Sequence, residues 1–182
     1  MFIVGLGGTL RPGSSTERVL FHVLRYAQDM GAQTKLLCGE AINLPMYVPN
    51  EADRDERTTA LVAALRQANA VVVGSPGYHG GISGLVKNAL DYTEDMSKDE
   101  QAYLEGRAIG CVATGAGWQG CNSTLHALRS VVHALRGWPS PLGIAVNTRE
   151  PVFAADGECL IPELSFQMKL MAQQLVRFSK RI

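Results

Sequence analysis

Short apolar runs alternate with stretches whose apolar residues recur every three to four positions, and this rhythm continues along the whole chain. Runs at Phe2–Leu6, Thr34–Cys38, Ala70–Gly74, Ala108–Ala113 and Leu142–Val146 predict five strands. The third reads AVVVG, apolar on both faces, as a strand covered on both sides of a parallel sheet must be. Between the runs, Val19, Leu20, Val23, Leu24 and Ala27 share one helical face, and Leu61, Ala64, Leu65 and Ala68 mark another. Two further helices are predicted over Ile82–Tyr92 and Gln119–Arg136. A last one opens with Pro162 and Glu163 and aligns Leu164, Met168, Met171, Leu175 and Phe178. The methionines in that stripe read as core or subunit packing, because a flexible thioether fills irregular gaps.

Five strands alternating with five helices predict an α/β doubly wound domain: a five-stranded parallel sheet with helices on both faces. Right-handed crossovers bring the strand-to-helix loops, residues 7–16, 39–55, 75–82, 114–120 and 147–162, to the carboxyl edge of the sheet. No repeat or linker divides the 182 residues, so residues 1–182 are expected to form one domain. Seventeen basic residues balance seventeen acidic ones, so no overall field draws the chain to nucleic acid or an anionic membrane. No apolar run approaches the roughly 18 residues of a membrane span, and no basic-then-apolar leader opens the chain. Cys38, Cys111, Cys121 and Cys159 are scattered without C-x-x-C or zinc-type spacing, which suits reduced thiols and a cytoplasmic protein.

Loop 7–16 changes the picture. A bound phosphate needs backbone N–H groups, hydroxyl donors, a fixed positive charge and a helix start. Gly7 and Gly8 permit close approach, Thr9, Ser14, Ser15 and Thr16 are donors, and Arg11 supplies the charge. A triphosphate loop would require lysine at position 14, where Ser14 stands, and the dinucleotide pattern G-x-G-x-x-G begun by Gly5 and Gly7 fails at Leu10. A terminal monophosphate fits best; the bland alternative is a glycine turn with a Ser/Thr helix cap.

Residues 75–92 read SPGYHGGISGLVKNALDY. Pro76 and the cluster Gly77, Gly80, Gly81 and Gly84 make a tight loop whose backbone can lie against a flat ring, with Tyr78 and His79 at the sheet edge. This stretch resembles the S-P-x-Y-H-G-x-x-S-G-x-L-K-N-A-L-D-Y signature of the NADPH-dependent FMN reductase family, which is flavodoxin-like. Loop 8–16 resembles the family's G-S-L-R-x-x-S-x-N phosphate loop, with Thr9 and Thr16 replacing its first serine and its asparagine. The resemblance covers most of the chain, and its second motif is the specific one.

The resemblance implies that Thr9, Arg11, Ser14, Ser15 and Thr16 hold the 5′-phosphate of FMN, and that Pro76, Gly77, Tyr78, His79 and Gly80 line one side of the isoalloxazine. Thr114, Gly115 and Gly117, in the looser match TGAGWQG, would approach its pyrimidine end. Trp118, the departure there, is open to three readings: stacking on flavin, shaping a nicotinamide pocket, or packing on a partner subunit. The implied reaction passes hydride from NADPH or NADH to flavin N5 without a catalytic side chain, and reduced flavin goes to an acceptor or a partner monooxygenase. Alternatives are an FMN-bound reductase of quinones, azo dyes or metal oxyanions, a flavodoxin-like electron carrier, and a regulatory domain with a vestigial site. Zero net charge argues against the carrier. A homodimer or homotetramer is implied, with Lys87 and Asp91 either at its interface or a plain exposed pair.

The remaining candidates are weaker. His79 reads as a positioning residue, and His22 receives no functional role. His126 and His133 lie seven apart on one helix, about 10 Å, too far to share a metal directly. TEDMSKDEQAYLE, residues 93–105, reads as a solvated connector. No Ser–His–Asp order, paired acidic motif or H-E-x-x-H points to a hydrolase. No lone charge is assignable from sequence to the 2′-phosphate that separates NADPH from NADH.

Overall fold

The computed structural model describes residues 1–180. Five parallel strands, β1 (Phe2–Gly7), β2 (Gln33–Leu37), β3 (Ala70–Tyr78), β5 (Ala108–Gly115) and β6 (Trp138–Asn147), lie in the order β2-β1-β3-β5-β6. A two-residue strand, β4 (Gly81–Ile82), folds back antiparallel on the end of β3. Five helices connect them: α1 (Ser15–Asp29), α2 (Glu56–Gln67), α3 (Gly84–Asp91), α4 (Trp118–Ala134) and α5 (Pro162–Ser179). The predicted doubly wound architecture is therefore the one observed.

Strand alternation divides the core. Val4, Leu6, Val71, Val73, Ile109 and Cys111 face α2, α3 and α4, whereas Ile3, Val72, Val112 and Ile144 face α1 and α5. Met168 and Met171 are fully buried in the second layer. A side chain on Gly110 would meet the Met171 sulfur at 2.8 Å, so the methionine stripe is core packing.

Several element bounds differ from the sequence pattern, β3 for one running on to Tyr78, and three departures have a clear physical reason. β6 begins at Trp138, earlier than the expected Leu142, because Pro139 and Pro141 interrupt the apolar run; an edge strand tolerates them since its outer side needs no ladder donors. α3 starts at Gly84, not Ile82, because Ser83 caps it and Ile82 pairs with Gly77. Residues 93–105 are not a solvated connector. A 3-10 turn over Tyr92–Met96 and the following loop bury Thr93, Met96, Ala102 and Leu104. Two of the segment's five acids are paired inward: Asp95 with Arg54 at 2.8 Å and Asp99 with Arg66 at 2.7 Å. Arg54 also sits over the rings of Tyr47 and Tyr92, fastening the loop after β2.

The ends of β1 and β3 converge tightly. A β-carbon on Gly7 would lie 1.8 Å from the carbonyl oxygen of Gly74, and Gly7 has φ 140°, a region side chains avoid. The Gly8 amide donates to the same oxygen at 3.1 Å. We expect Gly7→Ala to cost about 3 kcal/mol or more through overpacking and backbone strain. Chemical denaturation checks this; a loss below about 1 kcal/mol, the size of an ordinary surface change, would show that the junction can relax.

Candidate functional site

Loop 8–14 leaves β1 at the carboxyl edge and enters α1. Ser14 is the N-cap, its hydroxyl accepting the Glu17 amide at 3.3 Å, while the Glu17 carboxylate accepts the Gly13 amide at 2.9 Å. Within the loop, the Thr9 hydroxyl accepts the Arg11 amide at 3.1 Å. These bonds fix the turn but leave the amides of Ser15 and Thr16, on the first turn of α1, without intrahelical acceptors. The positive end of the helix dipole lies there as well. Arg11 is exposed and makes no ion pair among the described residues.

A buried hydroxyl pair joins this loop to the far side of the site. Thr16 Oγ1 and Thr114 Oγ1 are 2.6 Å apart, and both residues are nearly inaccessible. One hydroxyl donates to the other, which leaves one O–H with no acceptor among the described residues. Around the pair, Thr9, Arg11, Ser14, Ser15, Thr16, Pro76, Gly77, Tyr78, Thr114 and Gly115 line one open cavity of about 360 Å³, together with Ala116 and Thr148. Three loops far apart in sequence thus meet.

The other expected residues lie elsewhere. His79 and Gly80 form the tip of the hairpin between Tyr78 and Gly81, with φ of 51° and 88°, exposed and off the cavity wall. Positive φ at both central positions is the twist that a two-residue hairpin turn requires. Gly117 caps α4 without a side-chain bond and lines an adjoining cleft of about 580 Å³ with Gly77, Gly115, Ala116, Trp118, Gln119, Gly120, Asn147 and Arg149. Gly77, Gly115 and Ala116 line both spaces, and a β-carbon on Gly77 would stand 2.6 Å from Thr124 Oγ1 and 3.1 Å from the Gly120 carbonyl. Trp118 keeps 60% of its surface exposed at the mouth of this cleft.

The loop after β6 supplies residues that no local motif announces. Thr148 donates its amide to the Gly115 carbonyl at 2.8 Å, and Arg149 donates its amide to Asn147 Oδ1 at 3.1 Å. Beneath the 115–120 turn, the Cys121 thiol lies 3.1 Å from the Val146 carbonyl and 3.4 Å from that of Gly115. His22, buried on α1, contacts the Gly157 carbonyl at 2.9 Å and stacks on Phe153, so it anchors the segment after β6 rather than the cavity. His126 and His133 are exposed on α4. Lys87 and Asp91 pair on the half-exposed face of α3.

Two thiols, Cys38 and Cys111, are protonated at neutral pH. Burial, aided by the negative charge of Glu17, pushes Cys38 up to about 11, and burial pushes Cys111 up to about 12. Among the described residues no group of His, Cys, Asp and Glu gathers as a metal site would, and no helix is long and apolar enough to cross a membrane. The chemistry on offer is anion binding beside a ring-sized, backbone-walled cleft.

Fold and site together define a flavodoxin-like α/β protein. The flavoenzyme NAD(P)H:(acceptor) oxidoreductase FerB from Paracoccus denitrificans superposes over 99% of this chain and 97% of its own, with a TM-score of 0.80 at 20% identity. A flavodoxin, WrbA-like protein from Agrobacterium tumefaciens does so over 100% and 98%, with a TM-score of 0.65 at 19% identity. At these identities the likeness carries the fold. The chain belongs to the NADPH-dependent FMN reductase family, whose family model matches residues 1–150. An FMN-dependent NADPH-azoreductase of Staphylococcus saprophyticus is 34% identical over 118 residues, 63% of this chain, and the match spans 58% of that relative's length.

If the cavity holds a phosphate, Arg11→Ala should weaken FMN binding by about 1.5–3 kcal/mol, since charge-assisted hydrogen bonds are lost. Fluorescence titration measures this, and an unchanged affinity would remove Arg11 from the phosphate site. The thiols predict a pH trend. Their folded-state values exceed the ordinary 9.0, so the protonated forms favour the folded state and this stability is complete below about pH 9. It is lost as pH rises toward 11, and Cys38→Ala should reduce the fall in denaturation midpoint over that window; an identical fall in the variant would assign the trend to other groups.

Proposed function

We propose that this chain is an NAD(P)H-dependent FMN reductase that binds FMN through loop 8–16. The observation that carries the reading is an arginine without an ion pair among the described residues and open helix-start amides at one cavity, with a glycine-walled cleft adjoining it across Gly77, Gly115 and Ala116. The residues present fit the group. The amides of Ser15 and Thr16, the hydroxyls of Thr9 and Ser15 and the Arg11 guanidinium suit a single phosphate. The leftover O–H of the Thr16–Thr114 pair suits an oxygen of the phosphate or sugar chain. The backbone of Gly77 and the ring of Tyr78 on one side, and Thr114, Gly115 and Gly117 on the other, suit the edges of a flat tricycle. His79 and Gly80 are assigned to the rim by the family motif rather than by the cavity wall.

FMN held there would supply a hydride-accepting flavin ring, so the protein would need to provide no base. Its task is orientation and electrostatics. Amides at the start of α4, where Gly117 leaves the helix without a side-chain cap, would favour negative charge on the pyrimidine end of the ring. Exposed Trp118, Ile161 and Phe166 on α4 and at the start of α5 suit a homodimer or homotetramer. The product would be reduced flavin, available to an acceptor or a partner monooxygenase. A second reading, in which FMN stays bound and an azo compound takes the electrons, is favoured by the FMN-dependent NADPH-azoreductase name of the relative.

Following the NADPH absorbance band with FMN added or withheld tests the proposal. Oxidation that requires FMN and scales with its concentration beyond one per chain supports flavin as substrate. Oxidation that saturates at one FMN per chain and needs an azo dye supports the second reading. No oxidation of NADPH or NADH under any condition contradicts both.

A further inference from the structure

We propose that Thr124 is a positioning residue that sets the width of the ring cleft by pinning the hairpin of Tyr78 to α4. The inference rests on the reductase reading and adds to it a residue that lines neither the cavity nor the cleft.

The hairpin has little of its own to hold it. β4 is two residues long, and the two strands pair only as Gly77 with Ile82 and Tyr78 with Gly81. A ribbon that short is not stable by itself. At its tip, a β-carbon on Gly80 or Gly81 would meet nothing within 4 Å, so no atoms pack against the turn on that side. At its base, buried Ser75 accepts the Ser83 amide at 2.9 Å, which fixes where α3 starts and leaves the direction of the tip open. Tyr78 nevertheless has to stand at a fixed distance from Gly115 if a flat ring is to fit between them.

Thr124 supplies the missing restraint. It is fully buried on α4, and its hydroxyl donates to the Gly81 carbonyl at 3.2 Å. Among the described residues it is the one side chain that hydrogen-bonds to residues 77–82. A helical threonine can turn its hydroxyl back on the carbonyl one turn earlier. Here that carbonyl, of Gly120, accepts the Ser123 hydroxyl at 3.2 Å, and Thr124 reaches across to the hairpin instead. Its Oγ1 also lies against Gly77, where a β-carbon would come within 2.6 Å. One hydroxyl thus meets both strands of the hairpin.

The same helix carries the opposite wall. α4 begins at Trp118, and Cys121 on its first turn fastens the backbone before it. The Cys121 amide donates to the Gly117 carbonyl at 3.1 Å, and its thiol lies 3.4 Å from the Gly115 carbonyl. Gly115 and Gly117 are therefore fixed to α4, and Gly81, with its pairing partner Tyr78, is tied to the same helix through Thr124. The gap between the two walls follows from that one hydroxyl.

The test uses the full chain and compares wild type with Thr124→Val, which keeps the shape and loses the hydroxyl, and Thr124→Ser, which keeps the hydroxyl. Fluorescence titration gives the affinities for FMN and for riboflavin, which carries the ring without the phosphate. Thr124→Val should weaken both by the same factor, about tenfold, because the ring wall shifts and the phosphate loop does not. Thr124→Ser should stay within about twofold of wild type. Hydrogen exchange of the chain without flavin should quicken at residues 78–82 in Thr124→Val and stay unchanged in loop 8–16. A general loosening of the fold would lower the FMN affinity more than the riboflavin affinity, or quicken exchange throughout. Either result overturns the proposal, as does wild-type affinity in Thr124→Val or an equal loss in Thr124→Ser. If wild type binds neither flavin, the reductase reading fails and exchange alone decides: unchanged exchange at 78–82 in Thr124→Val overturns the pin.

Discussion

The approach of Gly7 to the Gly74 carbonyl is the contact on which the site depends. Neighbouring parallel strands ordinarily keep side chains between their ends, and those side chains would fill the space where a ligand has to lie. Here the absence of a β-carbon lets the end of β1 lie against β3, and the Gly8 amide takes up the Gly74 oxygen as the chain turns away. The loop that follows is thereby aimed across the end of β3 instead of outward. A second lock, the Thr16–Thr114 hydroxyl pair, ties the first turn of α1 to the end of β5. Between these two fastenings the ends of β1, β3 and β5 enclose one cavity.

The electrostatics follow from that geometry. Ser14 and Glu17 satisfy the donors that would otherwise compete for an anion, while the amides beyond the cap stay open and Arg11 stays free of carboxylates. Glu17 is turned back on Gly13, so its carboxylate serves the loop, and its charge adds to the burial that keeps the neighbouring Cys38 thiol protonated. The same edge continues past Gly77 into a cleft walled by backbone, with Trp118 and Arg149 at its mouth. An anion end and a flat-ring end are thus built from loops of one sheet edge, and α/β sheets bind ligands at that edge because helix starts and strand ends converge there.

Much of this was legible in the chain because the relevant signals are local. The buried strands announce themselves as apolar runs, and AVVVG even shows that β3 is covered on both faces. Loop 7–16 carries its glycines, hydroxyls and arginine within ten residues, and the S-P-G-Y-H-G stretch is contiguous. What escaped is what depends on distance. Thr148 reaches the cavity only because β6 lies beside β5 and its amide meets the Gly115 carbonyl, a contact that residues 147–162 do not encode locally. His79 and Gly80 belong to a short reverse pairing, β4, too brief to leave a pattern, and the turn carries them to a hairpin tip. The charged stretch after α3 misled for a related reason. Two of its acids, Asp95 and Asp99, are taken up by Arg54 and Arg66 from the loop after β2 and from α2, while the apolar residues around them fold inward.

A crystal structure with FMN bound tests the central claim most directly. The account predicts the phosphate within hydrogen-bond distance of the Ser15 and Thr16 amides and the Arg11 guanidinium, with the ring running toward Gly77 and Gly115. A phosphate held instead at Arg149, or a ring lying outside the cleft between Tyr78 and Gly117, would contradict it.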